Sequence, residues 1–181
     1  MTPTPEVMKA IETAIQIEQD GLAFYAEAAR QVDDPNGKRM FQSLAKDEAA
    51  HLQLFEDARE QLLSGGTWPS PEQIAAASPG EFGRLSQPSP PIFPTGDEVR
   101  KTDVPERQLT ALQRGIQAEE DSIAFYSEQM EQTADPEGKA MYAYLIEQEQ
   151  GHRVVLQGEY DYLTNTGFWF DFREFDLEAT G

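Results

Sequence analysis

The chain has 181 residues, long enough for one well-buried domain or two very small ones, and its 26% charged and 39% hydrophobic residues are the balance of a soluble globular protein. Its formal net charge of −19, from 33 acidic and 14 basic residues, argues against nucleic-acid binding, because phosphate backbones require clustered lysine and arginine. The absence of cysteine excludes disulfides, thiol catalysis and thiolate-bound metal centres, so any metal site must use His, Asp and Glu.

The first 64 residues predict a helical hairpin. Thr4 can cap a first helix and Pro5 can occupy its first position. The N-terminus lacks the basic segment and apolar core of a secretory signal, so we do not expect one. Asp34-Pro35 predicts the start of a second helix, which is expected to end near Ser64-Gly65-Gly66. No apolar run approaches the ~20 residues that cross a bilayer. We therefore expect a cytoplasmic protein that does not bind membranes.

Residues 65–104 form a connection that cannot be one long helix, because it contains seven prolines and five glycines. A short helix is predicted at 71–77. A helix of ~30 residues is ~45 Å long, so a crossover that joins two parallel helices must run the length of a bundle. The alternative is a linker that lets the second hairpin pair with another chain. We expect a homodimer or a higher homo-oligomer.

The second hairpin, 105–165, repeats the first at a distance of 101 residues. "IQIEQDGLAFYAE" (15–27) aligns with "IQAEEDSIAFYSE" (116–128), and the register continues without a gap to residue 152. Between positions 15 and 51 there are 17 identities in 37 places, where chance gives roughly two or three. The sequence therefore predicts an internal duplication within one domain, residues 1–165.

The C-terminal tail, 166–181, combines six large apolar side chains with four acidic residues. We expect so many aromatic residues to be covered, either folded over the bundle end or in a dimer interface. The alternative is a docking peptide for a partner or a compartment shell.

Ionisable residues occupy the centre of each apolar stripe. An isolated buried carboxylate costs several kcal/mol or takes up a proton, but two divalent cations would neutralise four carboxylates. Glu and His at i and i+3 share one helical face and can reach one ion. The predicted metal ligands are Glu18, Glu48, His51, Glu119, Glu149 and His152. The two histidines are the only ones in the chain, and the alternative is that they are core residues without a metal.

Within this set, we expect Glu18 and Glu119 to bridge the metals and each Glu-x-x-His pair to hold one of them. Tyr25 and Tyr126 lie two turns further along the same faces and are predicted either to fill the core or to donate hydrogen bonds to ligand carboxylates. Small residues one turn after the lone glutamates, Gly21 and Ser122, could leave an open volume for O2 or peroxide.

The sequence resembles the rubrerythrin branch of the ferritin-like superfamily. The resemblance rests on "IEQDGLAFY" (17–25) with "DEAAH" (47–51) and on "AEEDSIAFY" (118–126) with "EQEQGH" (147–152), and it covers both hairpins. It implies an all-α, ferritin-like four-helix bundle with a long crossover and two iron ions held by the six ligands. Manganese or zinc would also suit this ligand set.

The resemblance also implies an activity, the reduction of hydrogen peroxide or O2. Rubrerythrins typically carry a rubredoxin domain with four cysteines, and this chain has none, so an external electron donor protein or reductant is expected. They typically also have an extra glutamate where this chain has Ser122, so the six ligands resemble the symmetric centres of ferroxidases. A ferritin-like ferroxidase that stores or handles iron, packaged or assembled through its tail, is the alternative; a metal-free helical interaction module is a third.

Overall fold

The computed structural model of the chain describes residues 3–76 and 106–164. These residues form five helices and no strand: α1 (Pro5–Gln31), α2 (Pro35–Gly65), α3 (Pro71–Ala76), α4 (Glu106–Gln132) and α5 (Pro136–Thr164). The all-α fold predicted from the sequence is therefore confirmed. Among the described residues no helix is both long and apolar enough to cross a bilayer. The predicted tail and most of the connection lie outside the described residues, so their roles stay predictions.

Local chemistry sets the helix bounds close to those predicted. The Thr4 hydroxyl accepts the amide hydrogen bond of Val7, which caps α1. The Asp34 carboxylate accepts the amide hydrogen bonds of Asn36 and Gly37 at the start of α2. Gly66 ends α2 with φ 70°, a left-handed conformation that glycine adopts without steric cost.

Two apolar clusters fill the interior of the bundle. The lower cluster is built around Ile11, Ala14, Leu54, Phe55, Leu62, Tyr126, Tyr142 and Leu145. The upper cluster is built around Tyr25, Ala28, Val32, Phe41, Leu44, Leu112 and Leu156. On each long helix the ionisable residues lie between the part that enters one cluster and the part that enters the other. The ionisable layer is therefore enclosed by apolar side chains above and below.

The order of these clusters along the helices gives the topology. Helices α1 and α5 run from the lower cluster to the upper one, and α2 and α4 run the opposite way. The end of α2 and the start of α4 consequently lie at opposite ends of the bundle: Trp68, just after α2, packs on Gly138, whereas Arg107 at the start of α4 pairs with Asp33 after α1. Both hairpins thus pack within one chain, in the arrangement that needs a crossover.

The buried face of α4 differs in part from the apolar stripe that the sequence predicts, which is Leu109, Leu112, Ile116, Glu119, Ile123, Tyr126 and Met130. Leu109, Ile116 and Ile123 are only partly buried, and the residues before them, Gln108, Gly115 and Ser122, are buried instead. Leu112, Glu119 and Tyr126 of that stripe are buried as expected, so the interior face is shifted by only part of the ~100° between neighbouring residues. Helix α4 is therefore turned so that small residues face the interior, which lets a neighbouring side chain approach its backbone closely.

Candidate metal centre

All six predicted ligands meet in the ionisable layer. One comes from α1, two from α2, one from α4 and two from α5, and each is at most 4% exposed. They form two groups in which the ligand atoms lie within 4.8 Å of one another. One group is Glu18, Glu48, His51 and Glu149; the other is Glu48, Glu119, Glu149 and His152. Sequence spacing alone thus identified side chains that the fold brings together.

The two groups share Glu48 and Glu149, and each of these carboxylates faces both imidazoles. Oε1 of Glu149 lies 3.2 Å from Nδ1 of His51, and its Oε2 lies 3.0 Å from Nδ1 of His152. Oε1 of Glu48 lies 3.2 Å from Nδ1 of His152, and its Oε2 lies 3.9 Å from Nδ1 of His51. The bridging geometry therefore belongs to the glutamates of the Glu-x-x-His motifs.

The sequence-based expectation that Glu18 and Glu119 bridge stays a prediction, and the geometry favours Glu48 and Glu149 for this role. Glu18 belongs only to the group of His51, with Oε2 3.5 Å from its Nδ1, and Glu119 only to the group of His152, with Oε1 3.6 Å from its Nδ1. A second protein group contacts each of these two carboxylates and restricts its orientation.

That second group is a tyrosine from the opposite hairpin. Tyr25 on α1 donates its hydroxyl hydrogen bond to Oε1 of Glu119 on α4. Tyr126 on α4 donates reciprocally to Oε1 of Glu18 on α1, at 2.5 Å. Both phenols are buried, and burial together with the facing carboxylate raises the pKa of each well above its ordinary value, so both stay protonated donors. Of the two predicted roles, the structure therefore shows hydrogen bonding to a carboxylate.

Gly115 allows Tyr25 to reach Glu119. A Cβ atom at this position would lie 3.4 Å from the Tyr25 hydroxyl oxygen and 3.1 Å from Cδ1 of Leu156. The ring of Tyr25 therefore lies directly against the α4 backbone, one turn before the carboxylate that it holds.

The expected open volume beside Gly21 is filled. A Cβ atom on Gly21 would lie 3.2 Å from the carboxyl carbon of Glu48. The missing side chain thus accommodates Glu48 rather than a small molecule. Ser122, at the equivalent position of the second hairpin, is buried.

Asp47 is a further ionisable residue of this layer that the sequence-based prediction missed. It is 1% exposed, and its Oδ2 lies 3.4 Å from Nε2 of His152, on the side of the ring opposite the carboxylate groups. Its position directly before Glu48 on α2 could have indicated that it belongs to the layer. An acidic residue on the flank of a helix is, however, normally expected in solvent.

Burial and crowding of the carboxylates shift the proton affinities of the layer. Burial, and then repulsion from Glu149, raises the pKa of Glu119 to about 8. The same two causes raise the pKa of Glu48 well above its ordinary value. Burial opposes protonation of His51, but the facing carboxylates of Glu149 and Glu18 outweigh it and raise its pKa. Without metal, the layer therefore retains protons at neutral pH that bound cations would displace.

The polar atoms left without partners fit a pair of cations. Oε2 of Glu18, both carboxylate oxygens of Glu149 and Nδ1 of both histidines are buried and have no hydrogen-bond partner. Buried polar atoms are almost always paired in proteins. Carboxylate oxygens and imidazole nitrogens are ligands for iron, manganese and zinc, so the clusters are compatible with a di-iron site.

A comparison with protein-family models is consistent with a di-iron site. The rubrerythrin family model matches residues 9–76, which contain α1, α2 and α3. Residues 9–76 are therefore similar to rubrerythrins. Searches of curated proteins and of solved structures gave no significant match. The rubrerythrin match and the buried clusters together support a ferritin-like di-iron protein and, more broadly, an oxidoreductase.

Proposed function

We propose that this rubrerythrin-like chain reduces hydrogen peroxide or O2 at a di-iron centre, using electrons from an external donor. The observation that carries the proposal is that Glu48 and Glu149 each face both imidazoles. Two shared carboxylates define one cradle for two adjacent cations rather than two separate sites. The family match over α1 and α2 supports iron as the metal.

Four carboxylates and two imidazoles would hold the pair. Glu18 with His51 would hold one ion, Glu119 with His152 the other, and Glu48 and Glu149 would bridge. When bound, a diferrous pair would supply the two electrons that convert H2O2 and two protons into two water molecules.

The protein residues orient and enclose this chemistry. Tyr25 and Tyr126 each hold one carboxylate oxygen, the first on Glu119 and the second on Glu18, and so fix the orientation of both ligands. The lower and upper clusters exclude bulk water on both sides of the layer. This limits entry to small substrates, in keeping with peroxide or O2.

The test is anaerobic loading with Fe(II), followed by rapid mixing with limiting H2O2 or with O2. We expect two irons per chain, oxidised stoichiometrically by one of these oxidants and re-reduced by an added electron donor. Glu149→Gln should lose the reaction, whereas Glu147→Gln, two residues earlier and exposed, is the matched control. Well under one metal per chain after loading with iron, manganese or zinc would overturn the proposal.

A ferroxidase that oxidises Fe(II) for storage or delivery is the second candidate. The net charge of −19 favours it, because an acidic surface raises the local concentration of cations. Continued turnover of added Fe(II) into a mineral would identify this activity, and single-turnover oxidation without mineral would exclude it.

A further inference from the structure

The six predicted ligands are equivalent in the two hairpins, but the residues next to them in the sequence are not. In the 101-residue register, Asp47 corresponds to Gln148, and both residues are buried. Each directly precedes a bridging glutamate. One hairpin therefore has a buried carboxylate at this register position, and the other has a buried neutral amide.

Asp47 acts across the hairpins, on the histidine of the other Glu-x-x-His motif. Nδ1 of His152 faces Glu48, Glu119 and Glu149, and Nε2 faces Asp47 at 3.4 Å. Neither carboxylate oxygen of Asp47 has a hydrogen-bond partner among the described residues. Nε2 of His152 has no hydrogen-bond partner there either, so the two groups face each other as an ion pair at 3.4 Å.

The surroundings of His51 are different. Its ion pairs within residues 3–76 and 106–164 all join Nδ1 to carboxylates of the layer. The ring of Tyr144 packs edge-on against it, with centroids 6.4 Å apart. A neutral phenol therefore borders this imidazole, whereas a carboxylate borders the other.

A carboxylate that accepts the Nε2 proton of a ligand histidine fixes the tautomer with Nδ1 free for the metal and raises the basicity of Nδ1. We propose that Asp47 is a positioning residue that makes the two metal positions unequal, so that the position on His152 binds a divalent cation more tightly than the position on His51. The inference rests on the proposed metal centre but adds an order of filling that the ligand set alone does not give.

The test measures each position separately in the full-length chain. His51→Gln leaves one imidazole position, that of His152, and His152→Gln leaves the other. By calorimetric titration with Co²⁺, we expect His51→Gln to bind one ion at least ~10-fold more tightly than His152→Gln. Adding Asp47→Asn, which removes the charge but keeps the shape, should weaken binding by ~10–100-fold in the His51→Gln background. In the His152→Gln background it should change binding by less than about threefold.

Equal Co²⁺ affinities of the two single-histidine variants, or the same effect of Asp47→Asn in both, would overturn the inference while leaving the di-metal centre intact. If either variant fails to fold by circular dichroism, the isotherm of the chain with both histidines decides. Two resolved Co²⁺ binding steps in the unsubstituted chain that merge in Gln148→Asp but not in Gln148→Asn would support unequal metal positions. A single binding step in the unsubstituted chain would contradict them. Binding of neither Co²⁺ nor Fe²⁺ by the unsubstituted chain would overturn the proposed function as well.

Discussion

Tyr25 on the first hairpin and Glu119 on the second are joined by a buried hydrogen bond, and Tyr126 and Glu18 repeat this pairing in the opposite direction. Each hairpin thus supplies the phenol that holds a carboxylate of the other. Orientation of the ligands and docking of the hairpins are therefore physically linked: a change that separates the hairpins also releases two carboxylates of the centre.

Tyr25→Phe should weaken metal binding and destabilise the metal-free protein. Removing the hydroxyl leaves a buried carboxylate oxygen of Glu119 without its donor, which costs about 1–3 kcal/mol, and frees that carboxylate to rotate away from the metal. We expect a ~10-fold loss of affinity, measured by calorimetric titration beside a thermal melt. Tyr142→Phe, a buried ring in the lower cluster, is the matched control; equal effects of both would show that packing alone is responsible.

Replacing a shared carboxylate should weaken binding of both metals, whereas replacing Glu18 or Glu119 should weaken binding of one. Because Glu48 and Glu149 face both imidazoles, Glu48→Gln and Glu149→Gln should each reduce occupancy to well below one metal per chain. Glu18→Gln and Glu119→Gln should retain about one. Metal analysis after reconstitution measures this difference. Full occupancy in Glu48→Gln or Glu149→Gln would contradict the bridging assignment.

The metal-free protein should lose stability as pH rises from about 4.5 to about 8. The pKa of Glu119 is raised to about 8, so the folded state holds a proton that the unfolded state releases near the ordinary value. The contribution of protonated Glu119 to the free energy of unfolding is fully present below about pH 4.5 and is lost as pH rises through about 8. Thermal melts across this range should show a fall of several degrees or more. The fall should be smaller in Glu119→Gln, which cannot ionise; an unchanged slope would locate the titration elsewhere.

Gly115→Ala should destabilise the protein although alanine favours helices. Its Cβ atom would lie 3.1 Å from Leu156 and 3.4 Å from the Tyr25 hydroxyl, so the ring must shift away from Glu119. Overpacking typically costs 1–3 kcal/mol, roughly, which exceeds the ~1 kcal/mol gain in helix propensity. Gly158→Ala in α5 is the control, because no described atom lies within 4 Å of its Cβ atom and only the gain remains. Denaturant unfolding of both variants should therefore give changes of opposite sign.

The helix bounds and the members of the ionisable layer were predictable because they depend on local signals. Capping residues such as Asp34 set the helix starts, and the spacing of Glu48 and His51 places both on one face. The bridging role, the partners of the tyrosines and the contact of Asp47 with His152 were not predictable, because they depend on how each helix is rotated within the packed bundle. Helix α4 illustrates this dependence: its interior face is shifted by part of the ~100° between neighbouring residues, so that Gly115 rather than Ile116 lies at the interior.

The reciprocal tyrosine bonds also affect the order in which the molecule assembles. They join residues 94 and 108 positions apart in the chain, whereas each hairpin closes through a short turn. Contacts between distant residues form late, because chain entropy must be lost before they are made. We expect the hairpins to form first and the ionisable layer only when they dock. A bound metal would then mainly slow unfolding rather than speed folding, so that metal loading would lengthen the lifetime of the native protein.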